Sequence, residues 1–417
     1  MDEEAKLSDV AQAVLASLLR SQEATRKMLS EDVGVSLPTV TAALGELVAG
    51  NLVRELRREQ GARGRATIVY SASDEAGWVL GVDIGATQIN FVARCLSGRL
   101  LMRDSRRHPG DPAAVGSVAG AFLSPALERF RDVLPLRAVS IALNRIVPRN
   151  MADDTDEEPP ATTIVQQFAN ASGLGRGVPV LLENNVNCAA VAEHSNGLMQ
   201  GYDDAAFMQI GVGIGLGFFC DGALIRGGHG ASGELAQVPV SWSKDTPSPR
   251  DAIERLYGSV GLVERAAAEW PADEIPPRSS EELFSLGDAG HAVAHRLMRE
   301  HAVALGRLAA AATTLLDPSV LVLGGGLCGH AGFSSMIIEE FHARNRRTIV
   351  KVSQKGATAT IEGAVILAGD LAIRQLVHRH HRPLLMRPTV WQEAGEKDGR
   401  GRASSSGDGP TKSPNEP

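Results

Sequence analysis

Three glycine-punctuated turns are the places in this chain where phosphate chemistry can be done. Asp83-Ile84-Gly85-Ala86-Thr87 stands between two strand patterns. Backbone amides in such a turn cradle a phosphate, Thr87 can donate a hydroxyl, and Asp83 can hold a magnesium ion that bridges phosphates. Gly211-Val212-Gly213-Ile214-Gly215-Leu216-Gly217 is a second such loop. By itself it reads more simply as a hairpin whose strands must approach closely. Gly324-Gly325-Gly326 follows an apolar strand and can pack on a purine face. Asp83, Gly85, Thr87, Gly211, Gly213, Gly324 and Gly325 are therefore the candidate nucleotide contacts, and their recurrence at strand ends argues more than any one of them.

The elements that position these turns alternate strand and helix, twice over. VLGVDIGATQINFVA, the turn Ser97-Gly98 and RLLMRDS form one β-meander; AAFMQIGVGIGLGFFC, the turn Asp221-Gly222 and ALIRGG form another. Asp111, with Pro112 behind it, is expected to cap the helix that follows the first meander, and a strand is expected over Ala138 to Leu143. A helix ending near Gly201, a long Ala-rich helix before Pro318 and the strand VLVLGGG complete a duplicated α/β body. Ligands in such folds sit where glycine turns leave strand ends, which places the site in the cleft between the halves.

The segment up to residue 75 has a different pattern. Val10, Val14, Leu15 and Leu18 mark one helix face, Met28, Leu29 and Val33 a second, and Val40, Ala43, Leu44, Leu47 and Val48 a third. Gly34 ends the second helix, and Ser36 caps the third with Pro38 in its first turn. LVREL and ATIVYSA then flank the basic loop REQGARGR, which makes the segment a winged helix-turn-helix. Helical spacing puts Pro38, Thr39, Ala42, Gly45 and Glu46 on the face away from the core, with Thr41 at its edge. None of these reads bases bidentately, so the five wing arginines, Arg54, Arg57, Arg58, Arg63 and Arg65, carry the expected phosphate and minor-groove contacts. Ser36, Thr39, Thr41, Ala42, Arg57, Arg58, Arg63 and Arg65 are the candidate DNA contacts.

Composition bounds the rest. A chain of 417 residues with 43% hydrophobic content supports two or three domains, and a net charge of −7 confines any DNA contact to a local basic patch. Cys95, Cys188, Cys220 and Cys328 lie far apart in apolar stretches and read as buried reduced thiols, not zinc ligands. The acidic start MDEEAKLSDV, and the lack of an uninterrupted apolar run of spanning length, indicate a cytoplasmic protein with no membrane partner. Asp153 to Pro160 reads as a solvated acidic loop, and residues 382–417 as a disordered tail. The domains expected are 1–75, 76–381 in two lobes (about 76–200 and 201–381), and the tail.

In order and spacing, DIGAT at 83–87, PVLLENNVNCAAVAE at 179–193, IGVGIGLGFFCDGALIRGGHGASGE at 210–234, LDPSVLVLGGG at 316–326 and IEGAVILA at 361–368 resemble the ROK family of bacterial sugar kinases and sugar-responsive repressors. The resemblance covers nearly everything from the first helix to about Val377. It implies an actin/hexokinase-like duplicated α/β body, and the α+β winged helix-turn-helix in front of it is similar to the repressor branch. Family kinases carry Asn-Asp where this chain has Asn184-Asn185, the aspartate taking the proton from the sugar hydroxyl. Losing a positioned general base costs roughly 10²- to 10⁴-fold in rate. Val212 replaces a threonine of the second glycine loop, so the nucleotide contacts are vestigial. The family's GE-x-GH run and CxCGxxGC zinc motif become Gly233-Glu234-Leu235-Ala236-Gln237 with no cysteine following, which implies no metal and no cofactor. Leu143-Asn144-Arg145-Ile146-Val147-Pro148 replaces a Gly-Pro-Gly turn.

Asn184, Asn185, Glu234 and Gln237 remain as hydrogen-bonding groups for a sugar, although they can equally satisfy loop backbone. The expected function is a DNA-binding regulator, read as a repressor although the sequence does not distinguish repression from activation, with a catalytically degenerate sugar-sensing body. Its expected partners are a duplex operator, a sugar or sugar-derivative effector, and further copies in a homodimer or homotetramer. Two alternatives stay open: an ATP-dependent sugar kinase with a regulatory DNA-binding head, and a regulator that no longer senses sugar.

Overall fold

Glycine turns stop several of the apolar strand runs of the body, at Gly85, Gly98, Gly211, Gly222 and Gly325, and the strands assemble into two sheets of one plan. The computed structural model describes residues 7–60, 66–108, 110–149, 159–241, 248–249, 251–377 and 389–391. In chain order the head contains α1 (Asp9–Ser21), β1 (Glu23–Thr25), α2 (Arg26–Val33), α3 (Leu37–Ala49), β2 (Val53–Gln60) and β3 (Ala66–Ala72). The first lobe contains β4 (Trp78–Ile84), β5 (Gln88–Cys95), β6 (Leu100–Arg107), α4 (Val115–Phe130), β7 (Leu136–Leu143), α5 (Ala161–Ser172), β8 (Val180–Asn184) and α6 (Asn185–Asn196). The second contains β9 (Ala205–Ile210), β10 (Ile214–Cys220), β11 (Ala223–Leu224), α7 (Ala252–Tyr257), α8 (Ser259–Glu269), α9 (Ser280–Asp288), α10 (Ala292–Leu316), β12 (Val320–Gly324), α11 (Ala331–His342) and β13 (Ile349–Val352). α12 (Ala359–Leu376) and β14 (Thr389–Trp391) return to the first lobe.

The sheets run β14-β8-β7-β4-β5-β6 and β11-β10-β9-β12-β13. In both, an antiparallel meander is followed by parallel additions: β4 pairs with β7 and β7 with β8, as β9 pairs with β12 and β12 with β13. This is the expected duplication, except that β11 holds only two residues where β6 holds eight. α6 and α12 lie between the sheets, α6 against β10 and α12 against β4 and β7. The glycines of the second loop explain how α6 comes so near, since a Cβ on Gly217 would stand 2.8 Å from the Ala190 Cβ. α4 and α5 cover the outer face of the first sheet, and α8 to α11 that of the second.

Several local expectations are corrected. Asp111 does not cap a helix: its carboxylate accepts from the Ala113 amide in a turn, and α4 begins later, at Val115, with no side-chain cap. Cys220 ends β10 on the surface, because it precedes the Asp221-Gly222 turn, while Cys95, Cys188 and Cys328 are buried. Within the expected tail, Thr389–Trp391 adds an antiparallel strand beside β8, in register Thr389↔Leu182; the rest of the tail, and Asp153 to Glu158 of the acidic loop, lie outside the described residues. α12, continued back to Gly356, is the one described helix long and apolar enough to cross a membrane by length and composition. Packing against β4, β7 and α6 makes it a core helix here.

In the head, Ser8, Thr25 and Ser36 cap the three helices, and Gly34 ends α2 at φ +73°. Val14, Leu15, Leu18, Leu29, Val40, Leu44 and Leu47 form its core. Met28 and Val48 do not join them: Met28 opens onto a groove with Ser17 and Ala24, and Val48 sits in the last turn of α3, where the chain leaves. β1, too short to show a period, pairs with β3 to make a three-stranded wing sheet.

The head core is continuous with Leu371, Ala372 and Val377 at the far end of α12. Asp370 lies on this seam, where desolvation pushes its carboxyl up to about 6 against the opposing pull of Arg374 and Arg20. A folded-state pKa raised above the ordinary 3.8 means that the folded chain prefers the protonated acid. Its contribution to stability is complete below about pH 4 and is lost as pH rises through about 6, a swing of about 3 kcal/mol at 1.36 kcal/mol per unit. Asp370→Asn should therefore shift the melting temperature upward relative to the parent between pH 4 and pH 7. A difference that stays constant across that range would show that Asp370 does not titrate on this seam.

Candidate functional site

Parallel strands β7 and β8 end at the same edge, and the residues beyond them face the loops of the second lobe across a cleft of about 280 Å³. Its polar lining includes Asn144 and Arg145 after β7, Asn184 and Asn185 after β8, Gln209 from β9, and Glu234 and Gln237. Asp251 and Glu254, at the start of α7, also line it. All four candidate ligand residues thus meet in one cavity.

They are not equally free. Asn184 Oδ1 accepts from the amides of Val186 (2.8 Å) and Asn187 (3.2 Å), capping α6, and its Nδ2 donates to the Arg145 carbonyl at 3.0 Å. Its amide is spent on backbone. Asn185 begins α6 and keeps its side chain in the cleft, where Nδ2 donates to Asn144 Oδ1 at 3.4 Å. Glu234 is aimed by Gly233, whose carbonyl accepts from the Leu216 amide at 2.9 Å. That residue stands at φ +83°, and a Cβ on it would lie 1.7 Å from the Leu216 carbonyl oxygen, so only glycine fits. Beneath the cleft, Glu183 accepts from the Asn184 amide (2.9 Å) and Asn187 Nδ2 (3.0 Å) and faces Arg226 at 3.3 Å. Both residues are buried, and the pair ties β8 of one lobe to the loop after β11 of the other. Burial raises the Glu183 carboxyl more than Arg226 lowers it.

The glycine turns take different places. Asp83 is buried at the end of β4, receives Asn90 Nδ2 at 3.0 Å, and is pushed up to about 6 by desolvation. Gly85 accepts from His108 Nε2 through its carbonyl (2.8 Å) and lines a second cavity of about 250 Å³; Thr87 is exposed, its carbonyl taking the His108 amide. Gly213 lines the main cleft, and Val212 at the tip of that turn is 56% exposed. Gly211 sits beside Gly326, while Gly324 and Gly325 pack against Phe207 and the Ile210 carbonyl.

Sequence reasoning missed Gln209, Asp251 and Glu254, which only the fold brings to the cleft, and the Glu183–Arg226 pair. A charged residue ending the apolar run VLLEN was the available signal for Glu183. Chemically, Asn185 offers an amide that cannot take up a proton. For the zinc that the family's GE-x-GH and CxCGxxGC motif holds, the donor set here does not fit. Gln237 presents an amide, and His194 stacks on Phe219 at 3.9 Å with its Nε2 at the Tyr202 carbonyl. Among the described residues no three His, Cys, Asp or Glu side chains come together as a metal site.

On the head, Ser36, Thr39, Thr41 and Ala42 are exposed along one face of α3. All three of their hydroxyls are engaged locally: Ser36 Oγ lies 2.7 Å from Thr39 Oγ1, and Thr41 Oγ1 donates to the Leu37 carbonyl at 2.9 Å. Glu46 leaves the expected reading face, since it accepts from the Ser8 amide and hydroxyl, both at 2.7 Å. β2 runs on to Gln60 and carries Arg57 and Arg58 within the strand. Arg57 pairs with Glu23 (2.5 Å) and Glu59 (2.8 Å), and Arg58 with Glu55 (3.5 Å). Arg63 and Arg65 lie outside the described residues.

Residues 79–370 match the model of the ROK family. The chain belongs to the ROK family. A ROK family transcriptional regulator of known crystal structure, a homolog of the E. coli MLC protein, superposes with a TM-score of 0.68 at 18% identity, covering 89% of this chain and 99% of that one. The fold is thus the ROK actin-like α/β body preceded by a winged helix-turn-helix. The xylose repressor of Caldicellulosiruptor bescii is 21% identical over 334 residues, 75% of this chain and 81% of that protein. The bifunctional enzyme NanE/NanK of Brucella melitensis biotype 1 is 30% identical over 305 residues, 72% of this chain. The chain spans 55% of the length of that enzyme. ROK relatives of this chain therefore include a repressor and an enzyme.

Proposed function

We propose that this ROK chain is a DNA-binding transcription regulator, a repressor, whose body senses a sugar or sugar derivative without phosphorylating it. The observation that carries the reading is the path of α12. Near its start, Thr360 Oγ1 donates to the carbonyl of Asn185 at the cleft (3.4 Å), and its last turns share the hydrophobic core of the winged head. A ligand that favours one arrangement of the lobes therefore acts on the helix against which the head packs, and differential affinity is what a ligand needs to shift an equilibrium. A homodimer or homotetramer presents two such heads to a roughly palindromic operator. Exposed wing arginines and the small residues of α3 suit phosphate positioning more than base readout.

Genomic footprinting of the full chain, with and without hexoses, pentoses, amino sugars and their phosphates, tests the reading. One sugar class should release a defined set of palindromic sites. Glu234→Ala should abolish that release while leaving ligand-free binding intact. Sites that no sugar releases, with no melting shift, would favour a regulator that has lost its ligand. Sugar-dependent ATP consumption would favour the kinase with a DNA-binding head.

A further inference from the structure

Resting on the DNA-binding reading, we infer that α3 reads its duplex through the 5-methyl groups of thymine, with Leu37 as the residue that sets the preference. The first two turns of α3 run Leu37-Pro38-Thr39-Val40-Thr41-Ala42-Ala43-Leu44. Val40, Ala43 and Leu44 are buried in the head core, which leaves Leu37, Pro38, Thr39, Thr41 and Ala42 to the solvent. None of these five carries an amide, a carboxylate or a cation, the groups that recognise base edges through paired hydrogen bonds.

The hydroxyls do not make up the deficit. Thr41 Oγ1 gives its single proton to the Leu37 carbonyl, and of the protons on Ser36 and Thr39 one is used between the two oxygens. Glu46, the charged side chain further along the helix, is held back by the Ser8 amide and hydroxyl. What the face does offer is apolar. The Leu37 side chain is 50% exposed at the helix start, followed by Ala42 and by Gly45, where even an added Cβ would meet no atom within 4 Å. In a helix-turn-helix the N-terminal residues of the second helix reach base edges in the major groove. The apolar group that a base pair presents there is the thymine methyl. From Leu37 to Gly45 the helix rises about 12 Å, which spans three to four base pairs at about 3.4 Å each. A leucine left in water gains by covering a methyl, and the small residues behind it let the helix come that near. A guanine or cytosine edge against Leu37 would instead have its polar groups desolvated without a partner, and the preference follows from that difference.

The test uses the full chain. Duplexes are selected on it from a random pool, and the thymines of the tightest one are replaced by deoxyuridine, symmetrically in both half-sites. Uracil keeps every hydrogen-bonding group of thymine and lacks only the methyl. By fluorescence anisotropy at least one symmetrical replacement should weaken binding about 15-fold, about fourfold for each buried methyl. In Leu37→Ala, which removes an exposed side chain and leaves the head core intact, the same replacement should cost less than about threefold. Leu37→Met, apolar and of similar volume, should keep the full penalty. A selected duplex with no thymine in its half-sites, or one whose thymines can all be replaced at a cost below about twofold, would overturn the inference and leave DNA binding standing. An undiminished penalty in Leu37→Ala would also overturn it, since the methyl is then read elsewhere. If no duplex is enriched from the pool, both readings fall.

Discussion

Purified protein incubated with ATP and a panel of sugars is expected to show no sugar-dependent nucleotide turnover, and Asn185→Asp alone is expected not to restore it. Phosphoryl transfer asks little covalent chemistry of a protein; it asks for a positioned hydroxyl, a base that receives its proton and groups that hold the phosphates. At position 185 an amide donates to Asn144 and cannot take the proton, which costs roughly 10²- to 10⁴-fold. Reversion supplies the carboxylate but leaves Val212, exposed at the tip of its turn, without a hydroxyl to offer. It also leaves Gln237 without an imidazole to order the loop after Glu234. The hydroxyl must come within about 3 Å of the base for proton transfer. Product quantified by mass spectrometry checks both variants. Phosphorylated sugar from the parent would overturn the regulator-only reading, and activity confined to the revertant would show the phosphate site to be intact.

The second large effect is expected on DNA. Affinity of the full chain for its operator should fall about 10³- to 10⁵-fold between 50 and 200 mM salt if six to ten phosphates are contacted. Arg63→Ala with Arg65→Ala removes two wing charges per head, four per dimer, and should reduce the salt slope by about 3 to 4, weakening all sequences alike. Arg57→Ala should do less, because Glu23 and Glu59 already neutralise that guanidinium in the free protein. Titration by fluorescence anisotropy at four salt concentrations measures both slopes. A double variant that binds as the parent does would mean that the wing is not a phosphate clamp.

Periodicity made most of the elements legible in the sequence, because a half-buried strand or helix must repeat its apolar residues with its own geometry. The two meanders, the Ala-rich α10 and the capped α3 are visible this way. Glycines at the turns also announced where strands end. The misses are equally physical. β1 holds three residues, too few to show a period, and exists because β3 offers it an edge. β14 lies in a stretch whose composition argued for disorder, and it is paired only through β8.

Of the candidate site, residue types determined which chemistry was possible, and folding determined which groups were available for it. An asparagine at position 185 cannot itself act as a general base, and the run after Gly233 supplies no nearby cysteine thiolate. By contrast, Asn184 and Asn185 are chemically identical neighbours. One is consumed in capping α6 and the other faces the cleft, because the strand ends and the helix begins between them. Gln209, Asp251 and Glu254 join the cleft from segments tens of residues away, and Arg57 is matched by Glu23 across the wing sheet. Such pairings depend on distances in space that a linear pattern does not encode. The sequence by itself therefore determined the family, the repeated plan and the residue types available at the cleft; the tertiary structure decided which polar groups are spent on backbone and which line the cavity.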